Sequence, residues 1–192
     1  MSYSNHDSIA KRSITFMLFA WHSIYFAMTY PCDLIFATST PLSASIPGIV
    51  AKLLRRKCAF VFEVRDLWPE LPWALGMRNP FLLSGMWCLE WLAYRAADRC
   101  VGLSPGIVQG IRKRSRANQI VTMIPNACDL ELFCPSKREP LSLPGVNGGD
   151  FVAAFTGTTG TANGLDIVID VAAQLKKLEV ADIKLVIIGD GN

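Results

Sequence analysis

The sequence predicts an α/β fold of parallel strands alternating with helices, and three observations carry the prediction. The run Ala59-Phe-Val-Phe-Glu-Val64 opens as a strand buried on both faces, and Arg65, Asp66 and Glu70 follow where it should end. Short apolar runs of this kind alternate along the chain with longer segments of helical spacing. Beyond residue 150 the order strand, glycine loop, helix, strand makes a βαβ unit.

Composition bounds the class. A chain of 192 residues with a 51% hydrophobic fraction suits an ordinary packed domain, and excludes disorder and collagen-like repeats. The formal charge of +3 is uneven: residues 1–140 hold 16 basic and 10 acidic side chains, residues 141–192 hold 3 and 6. A mildly basic body suits an anionic membrane surface or a phosphate-bearing substrate, and equally suits solubility alone. The six cysteines contain no C-x-x-C pair and several sit in apolar runs. They read as free, mostly buried thiols of a reducing compartment. With only His6 and His22, a structural zinc site is not expected.

The elements follow in order. Residues 14–27 predict a helix, ended by Pro31. The uncharged stretch 14–30 is short for a membrane span; it reads first as a buried domain helix, then as a helix in the membrane interface. No secretory cleavage pattern precedes or closes it. Residues 33–38 predict a strand, followed by Thr38-Ser-Thr-Pro-Leu42. Those hydroxyls suit sugar or phosphate contacts, or a cap on the next helix, over 43–56. The basic residues Arg55, Arg56 and Lys57 fit that helix's C-terminus.

Next come the strand Ala59–Val64, a short helix or lid over 69–76, and a helix over 80–97. Trp87, Glu90, Trp91 and Tyr94 form a stripe on that last helix, expected to pack on the sheet, with membrane contact as the alternative. A strand at 99–103 leads to a helix opened by Ser104-Pro-Gly. Its Arg112, Lys113, Arg114 and Arg116 read first as a solvated basic face and second as a contact for anionic lipid or a lipid-linked phosphate. A strand at 119–124 precedes Pro125-Asn-Ala-Cys-Asp129. The prolines and glycines of 135–149 mark a linker. After it the βαβ unit runs from a strand at 151–155 through a helix at 163–178 to Ile183–Ile188.

The charged end of the central run is the candidate site. In open α/β sheets the loops at the carboxyl ends of strands form the ligand crevice. Pro69 stiffens this corner, so Arg65, Asp66 and Glu70 sit on a strand-to-helix turn. The competing reading is that they cap that helix and pair with one another.

The stretch Phe62-Glu-Val-Arg-Asp-Leu-Trp-Pro-Glu70 resembles the signature of family 4 retaining glycosyltransferases of bacterial capsule, O-antigen and colanic-acid assembly, near the fucosamine-transferase group. Thr38-Ser-Thr-Pro-Leu42, Leu103-Ser-Pro-Gly106, Ile124-Pro-Asn-Ala-Cys-Asp129 and Thr156-Gly-Thr-Thr-Gly160 match in the family's order, over residues 30–190. The resemblance implies the GT-B fold: two Rossmann-like domains facing each other across a cleft. It divides the chain into an acceptor-side domain (1–135) without its first strands, a linker (136–149) and the start of the donor domain (150–192).

The implied reaction moves a sugar, with retention, from a UDP-sugar or similar nucleotide-sugar to a lipid-linked sugar acceptor. It implies no metal and no cofactor. The expected place is the cytoplasm, peripheral at the inner face of the cytoplasmic membrane. By position, Arg65 and Asp66 take the catalytic places, and Glu70, Thr38, Ser39 and Thr40 the acceptor side. Asn126 and Asp129 match a Pro-Asn-Gly-Val-Asp turn, with Ala127 and Cys128 replacing its glycine and valine. Gly157, Thr158 and Gly160 lie on the first donor-domain loop. The family's basic pair and Glu-x7-Glu element would fall beyond Asn192, and its opening glycine-rich turn before Met1. The chain therefore reads as a fragment that is inactive alone. Competing readings are a non-catalytic membrane-associated or partner-binding remnant and a different Rossmann-like enzyme. Nucleic-acid binding is the weakest option, because the basic residues lack a reading motif.

Overall fold

A computed structural model describes residues 9–55, 57–134, 143–160 and 163–190. They divide into two compact units, one through Ala127 and one from Cys128. The expected linker start at Pro135 lies outside the described residues.

In the first unit the elements are α1 (Ile9–Thr29), β1 (Leu34–Thr38), a 3-10 turn (Leu42–Ala44), α2 (Ser45–Leu54), β2 (Ala59–Val64), α3 (Glu70–Ala74), α4 (Pro80–Ala96), β3 (Arg99–Gly102), α5 (Pro105–Arg114) and β4 (Ile120–Met123). The four strands are parallel and stand in the order β1-β2-β3-β4. Local chemistry starts the helices. Asn79 accepts from the amides of Phe81 and Leu82, with Pro80 opening α4. Ser104 does the same for the Ile107 amide at 3.3 Å ahead of Pro105. Pro47 is accommodated inside α2 because it falls in the first turn, where no intrahelical donor is needed.

Sequential strand order with right-handed crossovers puts α2, α4 and α5 on one face of the sheet. Phe60, Phe62, Val64 and Cys100 are buried beneath them, with Tyr94 and Ile111 from the helices. Gly48 lets α2 approach β2 closely, since a Cβ there would fall 2.2 Å from the Phe60 ring. The opposite face carries Leu34, Phe36, Val61, Glu63, Val101 and Ile120, and Phe36 is 55% exposed. The expectation of a central strand buried on both faces is thus corrected: β2 alternates buried and half-buried positions. The reason is topological, since a sequentially ordered sheet receives its crossover helices on one side only.

Two helical expectations also change. α1 packs on α2 and the 3-10 turn along one edge. Its remaining surface exposes Met17, Phe19, Trp21, Tyr25 and Phe26, so it is not a buried domain helix. The C-terminus of α1 is held by Arg55, whose Nη1 donates to the carbonyls of Ala27 (2.9 Å) and Tyr30 (2.7 Å). On α4 the stripe divides: Glu90 and Tyr94 are buried, while Trp87 and Trp91 are exposed, Trp91 under the Arg95 guanidinium.

The second unit consists of β5 (Phe151–Thr156), α6 (Asp166–Lys177) and β6 (Ile183–Ile188). The strands are parallel in the register Phe151↔Ile183 to Thr156↔Ile188. None of its described hydrophobic side chains is buried, and Ile167, Ile169 and Val171 of α6 are exposed.

Candidate functional site

The carboxyl ends of β1 and β2 leave the sheet side by side, because Thr38 is the register partner of Glu63. The ladder runs one residue further, where the Ser39 amide donates to the Glu63 carbonyl at 2.8 Å. Ser39 is fully buried, and its Oγ accepts from the Arg65 amide at 2.9 Å. It braces the two loops against each other and is closed to a ligand. Thr38 Oγ1 donates to Glu63 Oε2 at 2.6 Å, a half-buried contact behind the loops. At the surface, Thr40 Oγ1 donates to Asp66 Oδ2 at 3.1 Å. Thr40 and Arg65 are exposed and Asp66 is half-buried.

These contacts decide between the readings left open by the sequence. Neither the 3-10 turn, α2 nor α3 receives a side-chain cap, so Ser39, Thr40 and Asp66 are not helix caps. Arg65, Asp66 and Glu70 do not pair with one another among the described contacts. The structure gathers Thr38, Ser39, Thr40, Arg65 and Asp66 at one strand end. A carboxylate beside a hydroxyl donor, next in the chain to an exposed guanidinium, can receive a sugar hydroxyl and meet a phosphate.

Glu70 is engaged elsewhere, in an ion pair with Arg114. Arg114 also binds Glu90, Nη1 to Oε2 at 2.7 Å, and the Trp68 carbonyl at 3.0 Å. Glu90, 1% exposed, accepts in addition from Tyr94 Oη at 2.7 Å and the Trp68 amide at 3.1 Å. Burial pushes the Glu90 carboxyl up to about 7, against the lowering pull of the Tyr94 hydroxyl and the Trp68 amide. Burial also pushes the Tyr94 hydroxyl up, with the Glu90 charge adding to the shift. It lowers the Arg114 guanidinium, whose contact with Glu90 favours the charged form of both. The expected solvated basic face at the end of α5 is therefore corrected at Arg114, which is half-buried in this network. Arg112 and Lys113 are exposed as expected.

A shallow cavity of about 540 Å³ opens at the same end of the sheet, lined by Pro105, Gly106, Val108, Gln109, Arg112 and Met123. Asn126 is exposed in the irregular segment that follows β4. Asp129 is occupied locally, its Oδ1 accepting from the amides of Glu131 (2.9 Å) and Leu132 (3.0 Å).

In the second unit the glycine loop is drawn close to the end of β6. The Gly157 amide donates to the Ile188 carbonyl at 3.0 Å, and a Cβ on Gly189 would fall 1.7 Å from the Gly157 carbonyl oxygen. Thr158 accepts from Asn163 Nδ2 at 2.5 Å, and the Gly160 carbonyl from the Asn163 amide at 2.9 Å. Among the described residues, no three or more His, Cys, Asp or Glu side chains are placed to hold a metal ion.

Sequence reading missed Glu63, Glu90, Tyr94 and Arg114 as supports of the site. One signal was available: Glu90 is a lone carboxylate in an apolar, aromatic stripe, and a buried carboxylate needs a cation. No protein-family model matches the chain, and comparison with curated proteins finds no match.

Proposed function

We propose that the chain is the acceptor-side part of a retaining glycosyltransferase of the GT-B type, joined to the first βαβ unit of the donor side. The reaction is transfer of a sugar from a UDP-sugar or similar donor to a lipid-linked sugar diphosphate at the inner face of the cytoplasmic membrane. One observation carries the reading: Asp66, contacted by Thr40 and adjoining exposed Arg65, stands on a braced corner at the carboxyl ends of adjacent parallel strands. Asp66 receives the acceptor hydroxyl, and Arg65 meets diphosphate charge. The loop after β5 receives the donor diphosphate at Gly160, where an added Cβ would meet nothing nearer than the Thr158 side chain at 3.9 Å and the backbone stays approachable. The reaction needs no metal or cofactor.

Calorimetric titration of the full chain with a short-chain polyprenyl-diphosphate N-acetylhexosamine, and separately with UDP, tests this. Saturable binding of the lipid-linked sugar is expected, weakened at least tenfold in Asp66→Asn. Equal binding by that variant overturns the role of Asp66. Absence of binding to both ligands overturns the transferase reading.

A second reading, a non-catalytic membrane-associated protein, is favoured by the exposed aromatic surface of α1 and α4. Trp21 (73%) and Phe81 (86%) are the most exposed of these side chains, and aromatic residues suit the membrane interface. Among the described residues no helix is long and apolar enough to cross a membrane. This reading expects sedimentation with anionic phospholipid vesicles and no UDP binding.

A further inference from the structure

Cys32, Cys58, Cys88, Cys100 and Cys128 are free thiols, but two of them meet. Cys32 precedes β1 and Cys58 precedes β2, and their sulfurs lie 3.7 Å apart across 26 residues of sequence. The backbones are already at ladder separation, since the Ala59 amide donates to the Asp33 carbonyl at 2.8 Å. The register that pairs Leu34 with Ala59 sets Cys58 opposite Asp33, so Cys32 lies one residue further along the neighbouring backbone. A strand spacing of about 4.8 Å with an offset of about 3.3 Å gives a Cα separation of about 5.8 Å, inside the range of about 4.4–6.8 Å that a disulfide requires. Closing the sulfurs to about 2.05 Å therefore asks for side-chain rotation, not for movement of the sheet.

The surroundings differ between the two thiols. Cys58 is buried, 4% exposed. Cys32 is half-buried, with Nη1 of Arg55 3.7 Å from its sulfur. A small oxidant thus reaches Cys32 more readily, and a cation stands beside the sulfur that reacts. Burial pushes the Cys58 thiol up, which leaves it to react second. Of the other cysteines, Cys88 and Cys128 are exposed, contrary to the expectation of mostly buried thiols.

We propose that Cys32 and Cys58 form a reversible oxidation site for peroxide. The Cys32 thiolate attacks one peroxide oxygen, the O–O bond breaks, and a sulfenic acid forms; the departing hydroxide takes up the proton that the Cys32 thiol gave up and leaves as water. The Cys58 sulfur then attacks the Cys32 sulfur, the S–O bond breaks, and a second water leaves carrying the Cys58 proton. Two thiols and one hydrogen peroxide give one disulfide and two waters, and a dithiol reductant reverses the step. The bond ties the entry of β1 to the entry of β2, beside the arginine that holds the C-terminus of α1.

Peptide mapping of the full chain tests this directly. After brief hydrogen peroxide treatment, alkylation of remaining thiols and trypsin, the peptides spanning residues 13–52 and 58–65 should appear joined. They should separate after dithiothreitol, while Cys88 and Cys128 are recovered mainly alkylated. Cys32→Ser, at the less buried position, should abolish the joined species. Recovery of Cys32 and Cys58 alkylated after peroxide, or joined to other cysteines, overturns the proposal.

Discussion

Glu90 and Arg114 meet at 2.7 Å inside the first unit, and between them they hold both backbone polar groups of Trp68. The carboxylate takes the Trp68 amide and the guanidinium takes its carbonyl. The corner that presents Arg65 and Asp66 is thereby tied to α4 and α5. The ion pair with Glu70 extends the same clasp to the start of α3.

Above pH 7, where the Glu90 carboxyl is ionised, Arg114→Ala should destabilise the protein by about 3–5 kcal/mol, because it leaves that carboxylate buried without its cation. Arg112→Ala, on the exposed side of the same helix, should stay within about 0.5 kcal/mol. Urea denaturation of the two variants measures the contrast, and equal losses would refute the clasp.

Glu90 also sets a pH dependence. Its carboxyl is raised from 4.5 to about 7 in the folded protein. Between these values the folded state keeps a proton that the unfolded state has lost. The contribution of this group to stability therefore falls as pH rises from about 4.5 to 7, and is level above that window. The urea midpoint of the native chain should carry that slope, and Glu90→Gln should remove it. An unchanged slope in the variant would assign the effect to another group.

Asp66→Asn keeps the side-chain shape and an acceptor for the Thr40 hydroxyl. Its stability should change by less than about 1 kcal/mol, as for a surface polar exchange. Binding of the lipid-linked sugar diphosphate should weaken at least tenfold, so stability and binding separate at this position. A large fall in the thermal midpoint would make Asp66 a structural residue.

Gly48→Ala should cost about 1–3 kcal/mol, because a Cβ would fall 2.2 Å from the buried Phe60 ring and α2 would have to move off β2. Gly85→Ala, with open space at its Cβ on α4, should be neutral or stabilising. Thermal unfolding compares the two, and the opposite ranking would refute the close packing of α2 on β2.

Much of the fold was legible locally. The strands Ala59–Val64 and Ile183–Ile188 have the limits read from their apolar runs, because turn or charged residues bound them on both sides. Pro80 and Pro105 announced the starts of α4 and α5. α1 was read too short: it begins at Ile9, but Lys11, Arg12 and Ser13 separate that first turn from the apolar run that starts at Ile14. Of the candidate site, the hydroxyl and charged residues at the strand ends were legible by type. Their division of labour was not: Ser39 is a buried brace while Thr40 is exposed and Asp66 half-buried beside it. The clasp was hidden because Glu90 and Arg114 lie 24 residues apart on different helices.

By itself the sequence determined which segments are strand and which are helix, and that charged residues stand at the end of the central strand. Periodicity, proline and glycine act within a few residues, so they can be read without knowing what lies opposite. Only the tertiary structure decided which face of the sheet is covered, which charge is buried and which two sulfurs touch. Those outcomes depend on strand order and helix packing between residues far apart in the chain, where no local pattern carries the information.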